Sequence, residues 1–304
     1  MNRTYRILHF SDPHLVADGG LHHGQVDTAA ALRLAFDAAA DVDHVDIVVG
    51  SGDLSDDGSI ESYENVRSIV EPWAFSRGAC VVYAMGNHDD RDKFSRVLGN
   101  GHPARHTRDG GSAAVDPGQI SDGMPIDGVS QVGGLRVITL DTSVPGAGYG
   151  EISPGQLGWL ARQLAVPAAD GTLLVLHHPP VQPMTALHQA LKLRNPAELA
   201  QVLSGSDVRL VLAGHYHHQL NDSLAGIPVV VTPGIANRTD VTVAAGHERA
   251  VRGTAMTLVD LPPGALPRTV VIDCPAPDDG AEVYHYGTED VARILSAAVP
   301  DSGQ

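Results

Sequence analysis

Five apolar, strand-length runs in this chain stop abruptly at His, Asp or Asn, and this recurrence constrains the fold more than any other feature. The runs are residues 5–10, 45–49, 80–85, 173–176 and 208–213. They lead into Ser11-Asp12-Pro13-His14, Gly50-Ser51-Gly52-Asp53-Leu54-Ser55-Asp56, Gly86-Asn87-His88-Asp89, His177-His178-Pro179-Pro180 and Gly214-His215-Tyr216-His217-His218. Fully apolar runs of this length read as strands in a sheet covered on both faces. Their polar ends then stand at the sheet rim, where open α/β sheets bind ligands. Each tip taken singly also has an ordinary reading, because Asn, Gly, Asp and Pro are the commonest turn formers. Core packing alone does not account for five of them.

The segments between the runs supply the covering layers. Residues 27–40, with Leu32 and Phe36 one turn apart, and residues 59–74 read as helices, so the chain begins β-α-β-α-β. That order implies a parallel sheet with right-handed crossovers. Residues 129–132 and 135–140, joined across Gly133-Gly134, read as a hairpin that ends in a further carboxylate, Asp141. Ser153, Pro154 and Gln156 have the spacing of a helix cap, and residues 196–203 form another helix. Residues 99–128, rich in Gly, Pro, Asp and Ser, read as a long surface excursion near the site. Short β-rich runs at 227–231, 241–244, 255–259 and 269–273 suggest a second sheet packed on the first. No linker or repeat divides residues 1–273, which we read as one domain. Residues 274–304 form a tail with one amphipathic helix, capped by Thr288 and carrying Val291, Ile294, Leu295 and Ala298 on one face.

Composition narrows the partners. With 304 residues, 43% of them apolar, the chain can bury a sizeable core. Lys and Arg number 20 against 36 Asp and Glu, a formal charge of -16. Nucleic-acid polymers are bound largely by neutralising phosphates with Lys and Arg, and this balance argues against them and against an anionic membrane surface. Cys80 and Cys274 fit no CxxC spacing. Met1-Asn2-Arg3 enters an apolar strand directly, with no signal-peptide or transmembrane pattern, and we expect a soluble cytoplasmic protein. Histidine is the outlier: 16 of them invite a metal hypothesis.

The metal-capable side chains at the tips are Asp12, His14, Asp53, Asn87, His177, His215 and His217. In extended chain, residues two apart point the same way, so Asp12 can converge with His14 and His215 with His217. Mixed carboxylate, imidazole and amide donors suit Mn, Fe or Zn, and the lack of thiolates argues against a structural zinc knot. Seven groups are too many for one ion with an open position. They suit two ions roughly 3.5–4 Å apart that share one carboxylate.

In this order, Asp12-x-His14, Gly52-Asp53-x-x-Asp56, Gly86-Asn87-His88-Asp89, His177-His178-Pro179 and Gly214-His215-x-His217 resemble the five blocks of the calcineurin-like metallophosphoesterases. GNHDDR at 86–91, LDTSVP at 140–145, Gly150-Glu151-Ile152 and HHPPV at 177–181 extend the resemblance to the actinobacterial class III cyclic nucleotide phosphodiesterases. It covers residues 5–261 and leaves out the tail. The resemblance implies an α/β fold, a four-layer α-β-β-α sandwich of two mixed sheets flanked by helices. It implies one metal on Asp12, His14, Asp53 and His217, and another on Asp53, Asn87, His177 and His215, with Asp53 as bridge. A hydroxide between the two ions would attack phosphorus in line, and the site would carry a net charge of about +1. Asn87 and His88 would meet the substrate phosphate, His88 stabilising the transition state or protonating the leaving oxygen. Asp56 and Asp89 would orient imidazoles, although a cap or turn role suits them nearly as well. The substrate expected is a cyclic nucleotide; a linear diester such as a glycerophosphodiester is the alternative, and a homodimer is what the resemblance suggests. A scaffold that had lost catalysis should show broken blocks, and here each ligand position is filled. Other histidines match no block and read as surface or satisfied side chains, with His22 and His23 nearest to edging the pocket.

Overall fold

The computed structural model describes residues 3–102 and 123–298. It opens with β1 (Tyr5–Phe10), α1 (Thr28–Ala38), β2 (Ile47–Ser51), α2 (Ile60–Ser76), β3 (Cys80–Ala84) and α3 (Arg91–Leu98). Asp27 and Ser59 begin α1 and α2 by accepting the Ala30 and Ser62 N–H groups, which satisfies donors that a first turn leaves free. β1, β2 and β3 pair in parallel, as the alternating pattern predicts. β4 (Gly128–Val132) and β5 (Leu135–Leu140) form the predicted hairpin, and α4 (Pro154–Leu164) carries the capping box of Ser153 and Gln156. There follow β6 (Thr172–Leu176), α5 (Ala186–Leu191), α6 (Pro196–Leu203), β7 (Val208–Ala213), β8 (Leu220–Leu224) and β9 (Ile227–Val231). The C-terminal part adds β10 (Arg238–Thr239), β11 (Glu248–Val251), β12 (Thr254–Leu261), β13 (Arg268–Cys274), β14 (Glu282–Tyr286) and α7 (Thr288–Ala298).

The strands form two mixed sheets, ordered β13-β12-β1-β2-β3 and β4-β5-β6-β7-β9-β8, and a small sheet β10-β11-β14. Strand alternation stacks the large sheets. Ile7, Ile47, Val49 and Val82 point between them and meet Val137, Leu173, Val175 and Leu210 from the other side. The intervening Leu8, Val48, Val81 and Tyr83 face Leu32, Phe36, Val66 and Val70 of α1 and α2. On the far side Leu174, Leu176 and Val211 pack on Leu160, Leu164, Leu199 and Leu203 of α4 and α6. The architecture is therefore the four-layer α-β-β-α sandwich of two mixed sheets. Among the described residues no helix is long and apolar enough to cross a membrane.

Besides α3, α5, β8, β10 and β11, which the sequence reading did not mark, three details differ from it. The second sheet is made chiefly by residues 128–231, while β12 and β13 return to the first sheet, β12 pairing antiparallel with β1. Residues 241–244 are not a strand: the Asp240 carboxylate accepts from the N–H and hydroxyl of Thr242, at 2.9 and 2.6 Å, and closes a turn. The tail holds a strand that the sequence reading did not anticipate, β14, which pairs with β11, while α7 packs on α5. Of the excursion at 99–128, residues 103–122 lie outside the described residues.

Candidate metal centre

The rims of the two large sheets meet where the polar tips lie. Asp12 and His14 follow β1, Asp53 follows β2, and Asn87 and His88 follow β3; His177 follows β6, and His215 and His217 follow β7. Backbone hydrogen bonds zip the tips together: Asp12 N–H donates to Gly52 O at 3.1 Å, His14 N–H to Asp53 O at 3.0 Å and Gly214 N–H to His177 O at 3.0 Å. Two glycines make this approach possible. A Cβ at Gly86 would collide with the carboxylate and backbone N of Asp53, and one at Gly214 with the Ser11 hydroxyl. Among the described residues eight non-glycines have positive φ, and five of them are Asp12, His14, Asp53, His215 and His217. Such backbone conformations cost free energy and persist only where surrounding contacts enforce them, typically at functional sites.

Each of four imidazoles donates its proton outward, which turns the other ring nitrogen inward. His14 Nδ1–H donates to Asp56 Oδ1 at 3.1 Å, and His217 Nδ1–H to Asn237 Oδ1 at 2.9 Å. His177 Nδ1–H donates to Ser51 O at 2.8 Å, and His215 Nε2–H to Leu191 O at 2.9 Å. These acceptors assign the tautomers. The inward nitrogens then face one another: His14 Nε2 lies 3.3 Å from His217 Nε2, and His215 Nδ1 lies 3.2 Å from His177 Nε2. Between these pairs stand the carboxylates. Asp12 Oδ1 is 3.3 Å from His217 Nε2 and 3.8 Å from His177 Nε2. Asp53 Oδ2 is 3.2 Å from His177 Nε2 and 3.6 Å from His14 Nε2, so it is shared by both halves of the cluster. Asn87 lines the same cleft, and its buried Oδ1 has no hydrogen-bond partner.

The surrounding polar groups divide by what they touch. Asp56 is a hub for imidazoles: besides His14, its carboxylate lies 3.2 Å from His22 Nδ1 and 3.3 Å from His88 Nδ1. Asp89 instead accepts from the backbone N–H groups of Gly86, Leu54 and Ser55 and ties the β3 tip to the loop after β2. Asp141 stands outside the cluster, bonded to Arg91 Nε at 2.7 Å. His178 is buried with Nδ1 at 2.8 Å from the Thr142 hydroxyl, and a nitrogen of its ring lies close enough to His177 and His215 to join a metal-binding group. His22 edges the cleft and accepts from Asn237 Nδ2 at 3.2 Å, which joins Asp56 to Asn237. Asn237, Thr239, Leu187, Leu191 and Tyr284, none of them flagged by strand-tip spacing, also line the cleft, whose volume is about 150 Å³.

Counting this chain's own groups, the charges reinforce one another. Burial alone would raise the Asp53 carboxyl, but the neighbouring His177 and His88 imidazoles hold it well below the usual range. Burial would lower His88, and the Asp53 and Asp56 carboxylates override it and push the imidazole up to about 10. His215, buried and beside His177, is held down to about 3. The donor set fits divalent cations: inward lone pairs face one another at 3.2–3.3 Å with two carboxylates beside them, and the buried Asn87 amide oxygen in the same cleft has no hydrogen-bond partner. His and Asp groupings capable of holding metal recur throughout the cluster.

A fold of two stacked mixed sheets with His, Asp and Asn at their joined rims defines the class. The chain belongs to the calcineurin-like phosphoesterase family, whose model matches residues 5–219. It is 43% identical over 248 residues, 81% of this chain and 76% of the relative, to a probable cyclic nucleotide phosphodiesterase of Rhodococcus erythropolis. It is 39% identical over 269 residues, 88% of this chain and 79% of the relative, to a cAMP/cGMP dual specificity phosphodiesterase of Mycobacterium tuberculosis. Among solved structures, a dimetal phosphatase from Danio rerio shares the fold, with a TM-score of 0.54 and 16% identity over 88% of this chain and 99% of that one.

Proposed function

We propose that this chain is a metal-dependent phosphodiesterase that hydrolyses 3′,5′-cyclic nucleotides, a reading supported by relatives named for cyclic nucleotides and for cAMP and cGMP. The observation that carries the reading is the convergence of four inward imidazole nitrogens with Asp12 and Asp53, in a cleft that the unpartnered Asn87 also lines. Asp12, His14, Asp53 and His217 would hold one divalent ion, and Asp53, Asn87, His177 and His215 the other. Imidazole, carboxylate and amide donors without thiolate suit Fe, Mn or Zn. Two such ions supply Lewis acidity at the phosphoryl group and a water of lowered pKa.

The chain's own residues bind and steer. Asp56 fixes the His14 ring, Asn237 the His217 ring, Ser51 O the His177 ring and Leu191 O the His215 ring, so the donors need little reorganisation. His88 N–H donates to Asp53 Oδ1 at 2.8 Å, which ties the shared carboxylate to the β3 tip. The His88 side chain is 43% exposed to the cleft and lies beside Asp56. As an imidazolium it donates to a phosphoryl oxygen and then to the leaving alkoxide. Water adds across one P–O ester bond: the phosphorus gains the new oxygen and the departing sugar oxygen takes the proton.

Metal analysis joined to a substrate panel tests this. The purified chain should bind about two equivalents of transition metal and hydrolyse 3′,5′- and 2′,3′-cyclic phosphodiesters. Asp53→Asn should lose metal, whereas His88→Ala should keep it and lose at least about 100-fold in kcat. Glycerophosphodiesters turned over faster than any cyclic substrate would favour a linear diesterase, and monoesters faster than all diesters would overturn the reading.

A further inference from the structure

The cleft has two sides of different chemistry. Its floor is the imidazole and carboxylate cluster; its wall is Leu187, Leu191, Thr239, His23 and Tyr284. Tyr284 comes from β14, beyond the segment 5–219 that defines the family. Its position is fixed from several directions. It pairs in register with Ala250 of β11, its ring stacks on Tyr286 with centroids 4.7 Å apart, and it touches the His23 ring at 5.1 Å. The loop that carries His23 is fastened to the same strand, since Gln25 Nε2 donates to Val283 O at 2.9 Å. α5, which brings Leu187 and Leu191, is backed by α7.

We propose that Tyr284, braced by His23, is the nucleobase-contacting wall of the cleft, so that the C-terminal strand distinguishes nucleotides from other phosphodiesters. This rests on the cyclic-nucleotide reading above. The phosphate is drawn to the floor, which leaves the organic part of the substrate to lie along the wall. A nucleobase is a flat π-surface with polar edges, and contact with an aromatic side chain is favourable whichever base it is. Because β-pairing and stacking hold Tyr284 in place before substrate arrives, little side-chain freedom is lost on binding. Leu187 and Leu191 offer apolar surface in the same cleft.

The test compares 3′,5′-cyclic AMP with ribose 3′,5′-cyclic phosphate, which lacks the base. Tyr284→Ala should raise KM for cyclic AMP about tenfold, leave kcat within about twofold, and leave both parameters for the base-free substrate unchanged. Tyr284→Phe should restore the wild-type KM, because the ring face is kept. Equal changes on both substrates, or none on either, would overturn the proposal. If the wild-type chain hydrolysed neither cyclic phosphate, the functional reading would fall, and AMP binding to the full chain by calorimetry would still decide this one: affinity undiminished in Tyr284→Ala refutes it. Should Tyr284→Ala fail to fold, His23→Ala, at an exposed loop position, carries the same expectation with a smaller shift in KM.

Discussion

At the scale of single residues, what aims an imidazole is the atom behind it. Asp56, Asn237, Ser51 and Leu191 each accept the outward proton of a ring whose other nitrogen enters the cluster. His102 shows the opposite use of the same side chain. It lies buried between the Ser130 and Thr139 hydroxyls, at 2.8 and 3.0 Å, and burial pushes it down to about 3. It is neutral when folded but protonates near pH 6.5 when unfolded, so its contribution to stability declines as pH falls from about 6.5 toward 3. His102→Gln, which cannot protonate, should therefore lower stability at pH 7 yet flatten the fall with acid by up to about 1.4 kcal/mol per pH unit, read from urea midpoints at pH 7 and 4.5. The strand-tip residues were legible in the sequence because chemistry-bearing side chains sat at the ends of apolar runs. His22 was marked only as edging the pocket, and Asn237 was not legible at all, because it acts on the far side of the His217 ring and sits in a loop that no periodicity marks.

At the scale of elements, the glycines at the strand ends set how closely the tips approach. Gly86→Ala would place a methyl group against the Asp53 carboxylate and the backbone beside it. The variant should fold, since the clash is confined to the rim, but lose at least about tenfold in metal affinity, measured by competition with a chelator. Helix α1 announced itself by Leu32 and Phe36 one turn apart, α4 by the cap at Ser153, and the parallel strands by unbroken apolar runs. Residues 241–244 misled because Val241, Thr242 and Val243 have strand propensity while the Asp240 side chain commits them to a turn. β14 was missed for the converse reason: within the Pro- and Asp-rich tail its partner β11 lies more than thirty residues upstream, and no local signal names a partner.

At the scale of the whole molecule, the interface between the sheets carries the stability. Leu210 is fully buried there among Ile7, Val49 and Leu173. Leu210→Ala should cost about 3 kcal/mol in chemical denaturation while leaving kcat within about twofold at low temperature, because the residue lies on β7 well before its tip. That two sheets stack was readable from alternation; that β12 and β13 close the first sheet was not, since β1 pairs with β12 across some 250 residues of chain.

The same seam has a bearing on how the protein is built. Asp12, His14, Asp53 and Asn87 arrive on one leaf of the sandwich and His177, His215 and His217 on the other. An unfolded or half-docked chain cannot assemble that donor set, so any cation it captures acts as a rivet driven through both leaves at once. Loading should then harden the native state against heat in proportion to the logarithm of free ion concentration, and chelation should loosen the hinge line first.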